Sequence, residues 1–356
     1  MNPGPVTLSP RVREALLGED LCHREAEFAQ LTLSLRQQLQ TLYAAAGYTA
    51  VLLTGSGSSA VEAMLATFAP RTAPTLVVCN GVYGERMAQM LERQGKPVLA
   101  SKQPWGEAID LARVTALLDQ HPDTACLAVI HHETTTGRLN ALDELAALCQ
   151  ARNVGLLIDA VSSFGGEAID FQRWQPQAVA ATANKCLHGV PGVALVLGRD
   201  ELLAQRRGFS PALYLDLEQY VPAQKDGWSP FTQAVQGYMA LQAALAELQE
   251  QGGWQARQAR YQALTDRIRQ TLAEWGVQPL LEAEHSSSML TAYHLPATVS
   301  YSALHDHLKA DGFTIYAGQG ALASTIFRIA TMGAIGNADI ERFLASLHGF
   351  LHKGQL

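Results

Sequence analysis

The chain has 356 residues, 48% of them hydrophobic and 17% charged, and a net charge of −7. That length exceeds what one hydrophobic core comfortably serves, so a large domain packed against a smaller one is expected, globular throughout. The acidic balance leaves no basic stripe for nucleic acid and no cationic cluster for a membrane surface, and five scattered cysteines without a C-x-x-C pair argue against a disulfide scaffold or a metal site.

The opening MNPGPVTLSPRVREALL contains no apolar run of signal-peptide length, and no segment reaches about 18 consecutive apolar residues, so the cytoplasm is the expected compartment. CHREAEF follows. Its His23 and Arg24 form either an anion-competent spot or a charge cluster at a helix start. From about residue 30 to 200, short apolar runs alternate with amphipathic stretches: TAVLLT (49–54), TLVVCN (75–80), CLAVIHH (126–132), VGLLIDA (154–160) and GVALVLG (192–198). This rhythm predicts an α/β fold whose mainly parallel sheet is wound with helices such as SSAVEAMLATFA and LDELAALCQARN. In such sheets ligands sit beyond the carboxyl ends of the strands, so the residues after each run are where chemistry is sought.

TGSGSSAVEA is a Gly/Ser turn between a strand and a helix. Its backbone N–H groups, the hydroxyls of Ser56, Ser58 or Ser59 and the positive end of the helix suit a phosphate dianion. Gly55, Gly57 and Ala60 also match the G-x-G-x-x-A fingerprint of a dehydrogenase. That reading requires an acidic residue about twenty positions on, but TLVVCN ends in Asn80 and no carboxylate follows until Glu85. NGVYGERM sets Tyr83 just after a strand, where its ring either stacks on a flat ligand or fills a turn. HHETTTGR brings Thr134, Thr135 and Thr136 to the same crevice as ligands or turn residues.

The sharpest pair is Asp159, closing LLID, and Lys185, 26 positions later in TANKCLHG. An Asp there also serves as a helix cap, and a lone Lys is commonly surface. Together they match what pyridoxal phosphate demands: a lysine for a Schiff base with its aldehyde, and a buried carboxylate to keep its pyridine nitrogen protonated. A long helical tract then runs from about 235 to 275, with its break expected at Gly252-Gly253. Strand candidates MLTAYHL, TIYAG and TIFRIAT, with helices near 300–311 and 337–352, predict a smaller α+β unit. The expected division is a large domain at 15–250 and a small one at 251–356 that also takes in residues 1–14. Arg328, within TIFRIAT, needs a partner: a substrate carboxylate or phosphonate, or a structural ion pair.

These segments resemble the fold-type I, class V aminotransferases, which are pyridoxal-phosphate-dependent, and within them the 2-aminoethylphosphonate–pyruvate transaminase branch. The likeness runs from PGPVTLSPRVREALL and CHREAEF through TGSGSSAVEAM, NGVYGERM, HHETTTGRLNALDEL, IDAVSSFGG and ANKCLHGVPG to FRIATMG. It implies the type I fold, with a seven-stranded sheet, and transfer of an amino group from 2-aminoethylphosphonate to pyruvate. An alanine– or serine–glyoxylate aminotransferase and a lyase acting on a related aminophosphonate remain open alternatives. By the same resemblance, Lys185 bonds the cofactor, Asp159 contacts its pyridine nitrogen, Tyr83 stacks on the ring and Ser56, Gly57, Ser58 and Ser59 hold the phosphate. Thr135 lies near the ring oxygen, and Arg328 receives the substrate's acidic group, with His23 and Arg24 as further candidates. The family's active site lies at a homodimer interface, so Thr232 is expected to reach the neighbouring subunit's cofactor. Two segments depart from the pattern: WSPFT displaces Pro230 from its usual spacing, and IYAGQG lacks the cation of the usual I-Y-P-G-K.

Overall fold

The computed structural model describes residues 1–352. Twelve strands occur among them: β1 (Tyr48–Gly55), β2 (Thr75–Cys79), β3 (Val98–Lys102), β4 (Cys126–Ile130), β5 (His132–Glu133), β6 (Arg138–Leu139), β7 (Gly155–Asp159), β8 (Ala178–Thr182), β9 (Gly192–Arg199), β10 (Leu290–His294), β11 (Tyr316–Ala317) and β12 (Ile326–Ala330). Seven form the central sheet in the order β1-β9-β8-β7-β4-β2-β3. Only β9 runs against its neighbours. All five residues of β2, β4 and β8 are buried, as expected of a parallel sheet covered on both faces.

The covering helices explain that burial. Helices Ala26–Thr41, Asp143–Ala151 and Val235–Glu250 pack one face through Phe28, Leu35, Leu145 and Leu241, among others. Helices Gly57–Phe68 and Val82–Arg93 pack the other through Met64, Phe68, Met87 and Leu91. Truncating a fully buried side chain such as Phe68 to alanine costs about 3–5 kcal/mol.

The antiparallel sheet β10-β12-β11 packs on helices Gly253–Glu274, Tyr301–Ala310 and Asn337–Leu351 around Tyr293, Phe327 and Phe343. The tract breaks at Gly252 and Gly253, whose φ values of 98° and 79° favour glycine. The first residues run along this second unit: Met1 O accepts from Ala330 N–H at 2.9 Å, and Thr7 O from Ala334 N–H at 2.8 Å. Helix Pro10–Ala15 instead packs against Val235–Glu250, burying Val12 on Ala240 and Ala244.

Two strands of the seven-stranded sheet lack a clear sequence signal. AVAAT (β8) is mostly alanine, a weak strand former, because helix Gly57–Phe68 lies close over it. VLASK (β3) is an edge strand, mostly half-buried.

Candidate active site

The carboxyl ends of β1, β2, β4, β7 and β8 converge on one edge of the sheet, where the charged and polar side chains collect. Asp159 ends β7 and is 8% exposed. Its Oδ1 accepts from Val161 N–H at 2.9 Å, while Oδ2 has no hydrogen-bond partner among the described residues. Burial pushes its carboxyl up to about 7, against the stabilising Val161 N–H. A cation brought to Oδ2 would reverse that shift.

Lys185 sits in the turn at residues 183–191 joining β8 to β9. Burial lowers its ammonium below the usual range, and Arg328 adds to this while Cys186 and Asp159 oppose it. Its Nζ donates to the Pro3 carbonyl. The turn is clamped from the second unit: Arg257 Nη1 donates to Cys186 O at 2.7 Å, and Gly333 N–H donates to His188 Nε2 at 3.0 Å. His188 has a left-handed φ of 64°, uncommon for a residue with a side chain, and those contacts hold it there.

Helix Gly57–Phe68 begins in the same crevice without a side-chain cap; Ser59 N–H donates to Ser56 O at 2.9 Å, while the N–H groups of Gly57 and Ser58 have no partner among the described residues and are open to an anion. Ser59 Oγ donates to Ser56 O at 2.7 Å, whereas Ser56 and Ser58 are exposed. A cavity of about 40 Å³ is lined by Gly57, Ser58, Tyr83, Arg86, Asp159 and Val161, among others. A Cβ at Gly57 would lie 2.6 Å from Val161 Cγ1, so only glycine permits this wall. Arg86 stacks over the Tyr83 ring at 4.9 Å. A hollow of about 500 Å³ around Tyr48, Phe171 and Arg199 lies at the opposite edge of the sheet, away from these groups.

The hairpin of β5 and β6 closes the crevice. Glu133, fully buried, accepts at Oε1 from the Thr135 hydroxyl at 2.6 Å and the Thr135 N–H at 3.0 Å, and at Oε2 from Tyr83 N–H at 3.2 Å. Arg328, 3% exposed in the middle strand β12, donates from Nε to Ala317 O and from Nη1 to Thr134 O, both at 2.8 Å. Gly137 backs onto the same unit, where a Cβ would lie 2.9 Å from Leu290 O.

Asp159, Lys185, Tyr83, Gly57, Ser58, Thr135 and Arg328 thus belong to one connected region. Thr232 is exposed near the end of β1, its carbonyl accepting from Thr54 Oγ1 at 3.3 Å. His23 and Arg24 lie in the loop before helix Ala26–Thr41, and no hydrogen bond among the described residues joins them to the others. Sequence reasoning passed over Glu133 and Arg86. Glu133 did carry a signal, an acidic residue set between a buried strand end and three threonines, whereas Pro3 carried none.

Asn80, where a dehydrogenase would need a carboxylate, is tied through Nδ2 to Asn140 at 2.8 Å and to Glu107 O at 3.0 Å. No group of three His, Cys, Asp or Glu that could hold a metal ion occurs among the described residues, nor a helix long and apolar enough to cross a membrane.

Residues 14–335 match the family model described as aminotransferase class-V. A 2-aminoethylphosphonate–pyruvate transaminase of Klebsiella pneumoniae is 36% identical over 100% of this chain and 98% of its own length. One from Aeromonas hydrophila is 36% identical over 98% of this chain and 93% of its own. Among solved structures, the alanine–glyoxylate aminotransferase of a Nostoc species superposes with a TM-score of 0.93 at 25% identity, covering 99% of this chain and 94% of that one. The pyridoxamine–pyruvate aminotransferase of Mesorhizobium loti gives 0.90 at 25% identity, covering 100% and 92%. With the fold, the strand-end constellation and a family match over nearly the whole length in agreement, the chain belongs to the class V aminotransferases.

Proposed function

We propose that this enzyme is a pyridoxal-phosphate-dependent transaminase that moves the amino group of 2-aminoethylphosphonate to pyruvate, giving phosphonoacetaldehyde and L-alanine. The observation that carries the reading is the occurrence at one sheet edge of Lys185 and of Asp159, a buried carboxylate with one oxygen unpartnered among the described residues, in a chain similar along nearly its whole length to transaminases named for that reaction.

The residues fit the cofactor. Lys185 would hold it covalently, Asp159 would accept a hydrogen bond from its pyridine nitrogen, and Tyr83 would stack on its ring. The free N–H groups at Gly57 and Ser58, with the hydroxyls of Ser56 and Ser59 beside them, would take its phosphate. Thr135 would lie toward its ring oxygen. When bound, pyridoxal phosphate supplies a conjugated electron sink for the carbon that carries the amine.

The chain's own groups do the remaining work. Lys185 Nζ, with its ammonium destabilised by burial, is suited to take a proton from the amine-bearing carbon of the donor and, in the second half-reaction, to deliver one to the former keto carbon of the acceptor. Arg328 would grip the phosphonate of the donor and the carboxylate of the acceptor in turn, because its planar fork matches either anion. His23 and Arg24 are secondary candidates for that contact. A homodimer would complete the site, with Thr232 reaching the neighbouring subunit's cofactor phosphate. The division into 15–250 and 251–356 with 1–14, and a cytoplasmic setting, belong to the same reading.

The test is the visible spectrum of protein loaded with pyridoxal phosphate. A band that bleaches with 2-aminoethylphosphonate and returns with pyruvate, with alanine formed, supports the assignment. A band answering only to alanine or serine with glyoxylate moves the enzyme to that branch. Ammonia release without a keto acid makes it a lyase, and absence of any band overturns the reading.

A further inference from the structure

Two helices open at this edge of the sheet, and they are treated differently. Helix Gly57–Phe68 has a bare N-terminus. Helix Val82–Arg93 also lacks a cap from its own cap residue, Gly81, but Glu133 reaches across from β5 and supplies one. Its Oε2 accepts from Tyr83 N–H, and the Gly84 N–H also bonds this carboxylate. The approach is close: a Cβ at Gly81 would lie 2.2 Å from Glu133 Cδ. The same carboxylate holds both the N–H and the hydroxyl of Thr135, and Thr135 Oγ1 in turn accepts from Val82 N–H at 3.3 Å. One residue further back, Thr134 O receives Arg328.

We propose that Glu133 is a positioning residue that binds Tyr83 and Thr135 into one rigid unit facing the cofactor and tethers that unit, through Thr134, to Arg328. Its carboxyl oxygens also occupy the second helix N-terminus, which leaves the turn at Gly57 as the place open to a phosphate and so sets which way round the cofactor lies. This inference rests on the cofactor reading above.

The decisive comparison is wild type against Glu133→Gln, which keeps the shape but offers an N–H where Tyr83 N–H needs an acceptor. Cofactor affinity is measured by titrating cofactor-free protein, and ring orientation by circular dichroism in the visible band. The expected result is a dissociation constant raised about 10-fold and a visible dichroic band reduced by half or more, with kcat falling about 10- to 100-fold while KM for the amine moves less than about 3-fold. Should Glu133→Gln not fold, Gly81→Ala, whose methyl would lie 2.2 Å from Glu133 Cδ and so displaces the carboxylate while keeping Tyr83 and Thr135, must raise the dissociation constant and weaken the same band. A wild-type protein without any band sinks the cofactor reading. A normal wild-type band with unchanged affinity and dichroism in Glu133→Gln, or in Gly81→Ala where that variant stands in, sinks the role of Glu133 alone.

Discussion

Arg328 Nη1 donates to the Thr134 carbonyl at 2.8 Å, and this bond links the middle strand of the small sheet to the hairpin that closes the crevice of the large one. The guanidinium is therefore oriented before any substrate arrives. Its Nη2 makes no hydrogen bond among the described residues, since Nε is taken by Ala317 O and Nη1 by Thr134 O.

Arg328→Lys keeps the charge and loses the fork. KM for both the amine and pyruvate should rise about 10- to 100-fold, because one ammonium cannot hold the backbone carbonyls and an incoming anion together. The melting midpoint should also fall, reflecting about 1–3 kcal/mol for the lost bonds of a buried cation. Steady-state kinetics with both substrates and a thermal melt check this, and an unchanged KM would move substrate recognition to another cation such as Arg86.

Asp159 makes stability depend on pH. Its carboxyl titrates near 3.8 in the unfolded chain and about 7 in the folded one, so between those values the folded chain holds a proton that the unfolded chain has released. Stability contributed here is therefore full below about 4 and declines as pH rises to about 7, by up to roughly 4 kcal/mol. Cofactor-free wild type should lose more stability than Asp159→Asn over that range, and loading with pyridoxal phosphate should shrink the difference by supplying a cation at Oδ2. Melting series across pH for both proteins, with and without cofactor, decide it; parallel curves would refute the assignment.

Gly57→Ala should weaken cofactor binding about 10-fold or more without unfolding the chain. The new methyl would meet Val161 Cγ1 at 2.6 Å, in the wall of the cavity that Gly57 shares with Tyr83 and Asp159. Titration of the cofactor-free variant reads the loss directly.

Thr232 gives a test of shared sites. Lys185→Ala should be inactive and Thr232→Ala impaired in cofactor retention. If each site draws Lys185 from one subunit and Thr232 from the other, refolding the two variants together rebuilds one wild-type site in every mixed dimer. Activity above the sum of the separate proteins is the expected outcome, and strict additivity would count against a shared site.

The strands that bury branched side chains, such as TAVLLT and GVALVLG, were legible because β-branched and leucine residues announce a buried strand. AVAAT was not, since its alanines answer to the helix above it and carry no strand signal of their own. Asp159 and Lys185 stood out because the cofactor's chemistry needs that pair of residue types. Glu133 did not, although its residue type was unusual for its place. A carboxylate that bonds four N–H or O–H groups from two separated segments can be recognised only once the chain has brought β5 and residues 81–84 together. Pro3 at Lys185 is the extreme case, a contact across 182 positions made by a backbone carbonyl that no side chain could advertise.

The reversal of β9 has a consequence for how this chain tolerates insertion. Parallel neighbours in the sheet must be joined by crossovers of a dozen residues or more, whose lengths can drift because the excess runs over the surface. Antiparallel neighbours need only a short connection, and β8 and β9 are joined by residues 183–191 alone. Lys185 therefore lies on one of the connections of the large sheet least able to absorb added residues: lengthening it would loosen the tether at both ends and release the amine from its place over Asp159's end of the sheet. Homologues differing in size should carry their extra residues in the other loops, and a two-glycine insertion on either side of Lys185 should abolish activity where the same insertion at 121–123 is borne without loss.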